Sequence, residues 1–376
     1  MSLRALARVN LAAIERNAAR LRRELSGGGL CAVVKADGYG HGAIPVARAA
    51  LAGGAGWLAV VTVEEAAELR AGGIRAPLLV MGAISAQELP VALAARADLV
   101  AWSERFVADV AAAASAPVRM HVKFDSGLGR LGTRDLQQAI AVARLVMEAS
   151  PDMALVGAMT HFATADEDLE FVERQLDAFR EFAAQMRRLE PGMIVHAANS
   201  AATLRVPASH FDLVRCGIAI YGCDPMNEDP AGRGLEPALE LSSYLAAVKL
   251  ARAGDTVGYG RRFSAERDTW IGTIPIGYAD GIRRELTNNC DVLVDGARYP
   301  LVGTVSMDNV TIDLGPEPTA SVGAAARIIG RDGSERQTVE ELARRVGTIN
   351  YEILCGISRR VPRVYHRDGE ALDSAA

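Results

Sequence analysis

The chain has 376 residues, half of them apolar, and a formal net charge of −5. That length holds about two or three domains, and the apolar fraction excludes a disordered chain. The weakly acidic balance carries no block of Lys or Arg, which excludes an electrostatic footprint for nucleic acid. Cys31, Cys216, Cys223, Cys290 and Cys355 are an odd set without C-x-x-C spacing. They read as free thiols of a reducing cytosol, not as a disulfide framework or a zinc site. Leu3 to Ile14 is interrupted by Arg4, Arg8 and Asn10, so it is neither a signal-peptide core nor a membrane span. A soluble cytoplasmic protein is expected.

In chain order, Asn10 is an N-cap, and Leu11, Ile14 and Leu21 follow at helical spacing on a segment that ends near Gly27. Short apolar runs then appear at 30–34, 57–61, 77–81, 98–101, 118–124, 154–159, 193–196 and 211–214. Alanine-rich amphipathic stretches at 43–52, 63–71, 104–114, 136–149 and 168–189 lie between them. Strands alternating with helices predict a parallel sheet, and eight repeats match a (β/α)8 barrel of the TIM type. A doubly wound open sheet is the other arrangement, but no G-x-G-x-x-G follows the first of these runs. Active-site groups of a barrel gather past the C-terminal ends of its strands. Lys35, Asp125, His161, Asn199, Ser200 and Arg215 stand there.

Beyond about Leu235 the rhythm changes to short β-like runs at 239–250, 269–276, 291–294, 298–302, 309–314 and 325–329. Asp295-Gly296 and Asp332-Gly333 are turn signals between them. Only 339–346 reads as a helix, with Thr338 as its cap and Glu341 three residues on. The expected division is a barrel over 1–232 and a mostly β C-terminal domain over 233–376, joined near a Pro-, Gly- and Asp-rich linker.

Within this plan Cys31 to Val34 run straight into Lys35, with Gly38, Gly40 and Gly42 behind it. A continuous apolar run suits a strand buried on both faces, and the glycines permit positive φ or close approach to a ligand. A lysine at the edge of a buried strand has two readings. It has either reached solvent, or it is held for covalent carbonyl chemistry with Tyr39 and the glycine amides around a phosphate.

The stretch Val33-Val34-Lys35-Ala36-Asp37-Gly38-Tyr39-Gly40-His41-Gly42 resembles the pyridoxal-phosphate attachment motif of the alanine racemases, fold-type III enzymes. The resemblance recurs along nearly the whole chain. It implies that Lys35 carries the cofactor and that Tyr39 contacts its phosphate. His161, in Met-Thr-His-Phe-Ala-Thr-Ala-Asp, matches the histidine near the pyridine ring. Asn199-Ser200 matches a helix start that suits an anion, and Gly217 and Ile218 match residues whose amides meet the phosphate. Arg215, in Asp-Leu-Val-Arg-Cys-Gly, matches the arginine facing the pyridine nitrogen. Arginine keeps its proton, so the ring nitrogen stays unprotonated and the cofactor is a weaker electron sink. Decarboxylases and transaminases make the opposite choice, an acidic residue.

Lys123-Phe-Asp-Ser-Gly-Leu-Gly-Arg130 is the second strong motif. By resemblance Arg130 reaches the cofactor phenolic oxygen and the substrate carboxylate, which suits its bidentate geometry. Lys123 matches a lysine carbamylated in many family members, the alternative being a plain lysine paired with Asp125. In the β domain, Val257-Gly-Tyr-Gly260 matches the second catalytic base at Tyr259. Ile276-Gly-Tyr-Ala-Asp-Gly281 places Tyr278 at the entrance, and Gly303-Thr-Val-Ser-Met-Asp308 places Met307 and Asp308 at the substrate carboxylate. Ser306 stands where some members carry cysteine. Asn350-Tyr351-Glu352 matches a tyrosine that also reaches the phosphate.

The implied activity is interconversion of L- and D-alanine by two bases, supplying D-alanine for peptidoglycan. A homodimer is implied, in which one subunit's β domain completes the other's barrel site, with no membrane or nucleic-acid partner and no metal. The alternatives are a broad-specificity amino-acid or serine racemase, a decarboxylase of the same fold type, and a noncatalytic pyridoxal-phosphate carrier.

Overall fold

The protein is described by a computed structural model covering residues 4–317 and 320–371. The described residues fall into two units, one made of Ile14–Gly38 with Gly42–Ile220 and the other of the remainder.

The first unit is the expected barrel. All eight anticipated runs are strands: Gly29–Val33, Trp57–Val60, Leu78–Val80, Asp98–Ala101, Val118–Lys123, Met153–Met159, Ile194–His196 and Leu213–Cys216. Each pairs in parallel with the next from Gly29–Val33 to Ile194–His196, and Gly29–Val33 also pairs with Leu213–Cys216. Asp212 N donates to Val195 O and Arg215 N to Ala198 O, which closes the ring. Most strand residues are fully buried, because helices cover the outside and side chains fill the inside. The long helix Leu169–Leu189 buries Val172, Leu176, Phe179, Phe182 and Met186 at helical spacing. One helix escaped the sequence reading, Leu89–Ala94. Its six residues are too few for a clear period. Ser200–Arg205 is the helix whose start was expected at Asn199-Ser200.

The second unit is mostly β. Its main sheet joins Leu239–Tyr244, Ala325–Asp332, Asp291–Val294 and Ala297–Pro300 with Leu6–Asn10 and Arg363–Arg367. Leu6–Asn10 pairs antiparallel with Leu239–Tyr244 and parallel with Arg363–Arg367, so this segment lies in the β unit's sheet although it precedes the barrel in sequence. Its alternating burial marks a strand with one face covered. Ala247–Ala251, Thr269–Ile274 and Val310–Gly315 form a separate three-stranded sheet. The single run read at 239–250 is thus two strands in two sheets. Leu245 N bonds Ala324 O and Ala246 N bonds Thr273 O where the chain changes over. The expected helix is present as Val339–Arg345, and a second one, Asn350–Gly356, follows it. The reading of only one helix here is corrected. The second has seven residues and no side-chain cap, so nothing local announces it.

Candidate active site

Lys35 stands just past the strand Gly29–Val33. Behind it the backbone is left-handed, with φ of 52, 51 and 60° at Ala36, Asp37 and Gly38, and 52° at Tyr39. Glycines 38, 40 and 42 all take positive φ, but the turn also forces L-residues there. Each costs roughly 1–2 kcal/mol, so something must hold them. Ala36 N donates to Glu65 Oε1 at 2.6 Å, and Ala43 N to Asp37 Oδ1 at 2.9 Å. Glu65 Oε2 accepts from Val61 N and Thr62 N while capping its own helix. One carboxylate therefore ties the lysine turn to the next strand end, a strained backbone of the kind kept at functional sites. The sequence reading did not single out Glu65. The Thr62-x-x-Glu65 spacing announces a capping box, but not that the other oxygen reaches Ala36.

Arg215 is 2% exposed on the strand Leu213–Cys216. Its Nη1 donates to His196 Nδ1 at 2.8 Å. Its Nη2 donates to Thr160 O at 2.7 Å, Ala197 O at 3.0 Å and His161 Nδ1 at 3.2 Å. Its Nε is buried and has no hydrogen-bond partner. Burial pulls the guanidinium down to about 10, which leaves it a cation at neutral pH. Burial first, then Arg215, pushes His161 and His196 well below the ordinary histidine value. Both rings are neutral, and each can accept at the nitrogen it presents to the arginine.

Lys123 is 5% exposed and is pulled down to about 8 by burial, then by Arg130 and Arg215. Asp125 opposes this only weakly. It already accepts from Gly127 N, Gly129 N and Arg134 Nε, so the paired Lys123–Asp125 arrangement is not formed. His161 feels Arg215, Lys123, Arg130 and Lys35 together. The barrel mouth therefore gathers cations from three different strand ends.

On the far strands, Asn199 Oδ1 accepts from Ala202 N and caps Ser200–Arg205. Ser200 Oγ accepts from Gly217 N at 2.9 Å, which brings Ser200, Gly217 and Ile218 side by side, all buried or nearly so. In the second unit, Tyr39 is buried against Tyr221, with ring centroids 4.8 Å apart, and Tyr351 lies 6.0 Å away. Thr304 Oγ1 donates to the carbonyl of Tyr259, and Tyr278 N and Ala279 N donate to Ser306 O and Met307 O. Gly277 permits this approach, since a Cβ there would lie 2.3 Å from Ser306 O. Tyr259 is 74%, Tyr278 43% and Met307 52% exposed, and Asp308 pairs with Arg360 at 2.7 Å.

The alanine racemase N-terminal domain model matches residues 9–225, and the C-terminal domain model matches 238–365. The chain belongs to the alanine racemase family. It is 42% identical to the alanine racemase of Geobacillus stearothermophilus over 96% of this chain and 93% of that protein. It is 38% identical to alanine racemase 1 of Bacillus subtilis, over 98% and 94%. Among solved structures, the alanine racemase of D-cycloserine-producing Streptomyces lavendulae superposes with a TM-score of 0.92 at 39% identity, covering 97% and 98%. That of Bacillus anthracis with bound L-Ala-P gives 0.91 at 37%, covering 99% and 97%.

Alanine racemases depend on pyridoxal phosphate, and the residues of this barrel fit it. The buried Arg215 Nε–H lacks an acceptor, and a pyridine nitrogen is one. The barrel mouth gathers cations, and the cofactor brings a phosphate and a phenolic oxygen. Among the described residues no His, Cys, Asp or Glu cluster has the makings of a metal site.

Proposed function

We propose that this chain interconverts L- and D-alanine with two proton-carrying groups on opposite faces of the substrate. The observation that carries the reading is the unpartnered, buried Nε–H of a fixed Arg215 in a cationic barrel mouth. Bound pyridoxal phosphate supplies the electron withdrawal that acidifies the α-hydrogen of an attached amino acid. Arg215 donates to the ring nitrogen without releasing its proton, which restrains that withdrawal and disfavours the decarboxylase reading. Tyr39, Tyr351, Ser200, Asn199 and the amides of Gly217 and Ile218 hold the phosphate, and His161 lies against the ring. Arg130 orients the substrate carboxylate, and Lys123, as a carbamate, holds Arg130 in turn.

Racemisation removes a proton from one face and returns one to the other. Lys35, which would hold the cofactor, would serve one face. Tyr259 of a second copy serves the other. The barrel portion holds the cofactor, and the β portion presents Tyr259, Tyr278, Met307 and Asp308 to the second copy. The exposure of three apolar or aromatic side chains on that portion supports such a covered surface. A homodimer follows. No helix among the described residues is long and apolar enough to cross a membrane, in keeping with a cytoplasmic supplier of D-alanine for peptidoglycan.

Polarimetry with L-alanine, D-alanine and both serine enantiomers tests the reading. Faster racemisation of serine than of alanine would assign a serine or broad-specificity racemase instead. Borohydride treatment of the loaded enzyme should fix the cofactor on Lys35, and a label on any other lysine would overturn the site.

A further inference from the structure

Behind Arg215 a chain of hydrogen bonds leaves the mouth and runs toward the opposite end of the barrel. Arg215 Nη1 meets His196 Nδ1 at 2.8 Å, His196 Nε2 meets His121 Nδ1 at 2.9 Å, and His121 Nε2 meets Asp98 Oδ2 at 3.1 Å. Asp98 opens its strand at the opposite end of the barrel, where Arg119 Nε donates to both its oxygens at 3.1 Å. His121 and His196 are fully buried, and Asp98 is 4% exposed.

The direction of every bond in this chain follows from its ends. Arginine can only donate, so His196 Nδ1 must accept and its proton sits on Nε2. That proton goes to His121 Nδ1, so the His121 proton sits on Nε2 as well. Asp98 then has to be the final acceptor. Burial lowers both imidazoles below their ordinary value, so each ring carries one proton and has one choice of nitrogen. Reversing one ring would set two N–H groups, or two lone pairs, against each other in a buried site.

A second observation is independent of those distances. The His121–His196 pair spans the strand Met153–Met159, and Gly157 is the residue paired with His121. A Cβ at Gly157 would lie 2.0 Å from His121 Nδ1. The intervening strand carries no side chain at the one place where the bond passes.

We propose that Asp98 and His121 are positioning residues that fix the tautomer of His196 and thereby the aim of Arg215 at the cofactor nitrogen. They touch neither substrate nor cofactor. The inference deepens the reading of the barrel mouth given above and rests on it for its catalytic meaning.

The test compares Asp98→Asn, whose carbonyl can still accept, with Asp98→Leu, whose side chain cannot. 15N spectra of labelled histidine should show Nδ1 bare and Nε2 protonated on both rings of the parent and of Asp98→Asn, with and without cofactor. In Asp98→Leu the tautomers should mix. Its kcat should fall about ten- to a hundredfold, the scale of one hydrogen bond to a charged group, with KM for alanine nearly unchanged. Asp98→Asn should stay within about threefold of the parent. Gly157→Ala should lower kcat with Asp98 intact. His121→Phe, which keeps the ring shape without the bonds, serves the same comparison if Asp98→Leu does not fold. Unchanged tautomers in Asp98→Leu, or equal damage from Asn and Leu, would overturn the proposal. The spectra need no turnover. Ordered tautomers in a protein that does not racemise alanine would refute the functional reading and leave the relay standing.

Discussion

Lys123 offers the sharpest quantitative prediction. Its ammonium is 5% exposed, faces Arg130 and Arg215, and is lowered from 10.5 to about 8. At about 1.36 kcal/mol per pH unit, that difference is a penalty of about 3 kcal/mol for holding the charged form in the fold. The protonated state is the disfavoured one. The penalty is therefore full below about pH 8 and vanishes as pH rises toward 10.5. Lys123→Met keeps the aliphatic length and removes the charge. In CO2-free buffer at pH 7, the cofactor-free variant should be more stable than the parent by about 2–3 kcal/mol in urea unfolding at equal m. The same lowering raises the neutral amine at pH 7 by roughly 300-fold, and only the neutral amine attacks CO2. Its lone pair bonds the carbon and its proton leaves to solvent, giving an anionic carbamate beside two guanidinium groups. Bicarbonate should thus stabilise the parent and not the variant, and 13C-bicarbonate should give a protein carbonyl signal that Lys123→Met lacks. A variant less stable than the parent at pH 7 without CO2 would refute the buried-charge argument. Absence of the 13C signal at pH 8 with excess bicarbonate would refute the carbamate.

Arg215→Glu should protonate the ring nitrogen, slow racemisation and open transamination, read as pyruvate formed from alanine. A variant that racemises like the parent would remove Arg215 from that role. Tyr259→Phe should abolish α-deuterium exchange from L-alanine and leave measurable exchange from D-alanine, so equal loss or retention for both enantiomers would end the two-face assignment. Glu65→Ala should release the left-handed turn at Ala36–Tyr39, with about 1–3 kcal/mol lost in urea unfolding and weaker cofactor retention on gel filtration. Unchanged stability and retention would show that the turn holds itself.

The barrel was legible in the sequence because each strand is a short apolar run followed by a helical period, both of them local signals. The strand-end positions of Lys35, His161 and Arg215 followed from that rhythm, and their roles came from motif resemblance rather than from spacing. What local signals could not reach was set by pairing across the fold. Leu6–Asn10 is a strand only because Leu239–Tyr244 and Arg363–Arg367 lie on its two sides. Glu65 was visible as a helix cap, yet its bond to Ala36 needs the two neighbouring strand ends in register. His121, His196 and Asp98 look in sequence like separate polar residues inside strands. The parallel register stacks them into one line, and the missing side chain of Gly157 lets that line pass. Periodicity records which face a residue takes, whereas hydrogen-bond direction and the lowering of Lys123 depend on what burial brings within a few ångströms. Only the tertiary structure sets those distances.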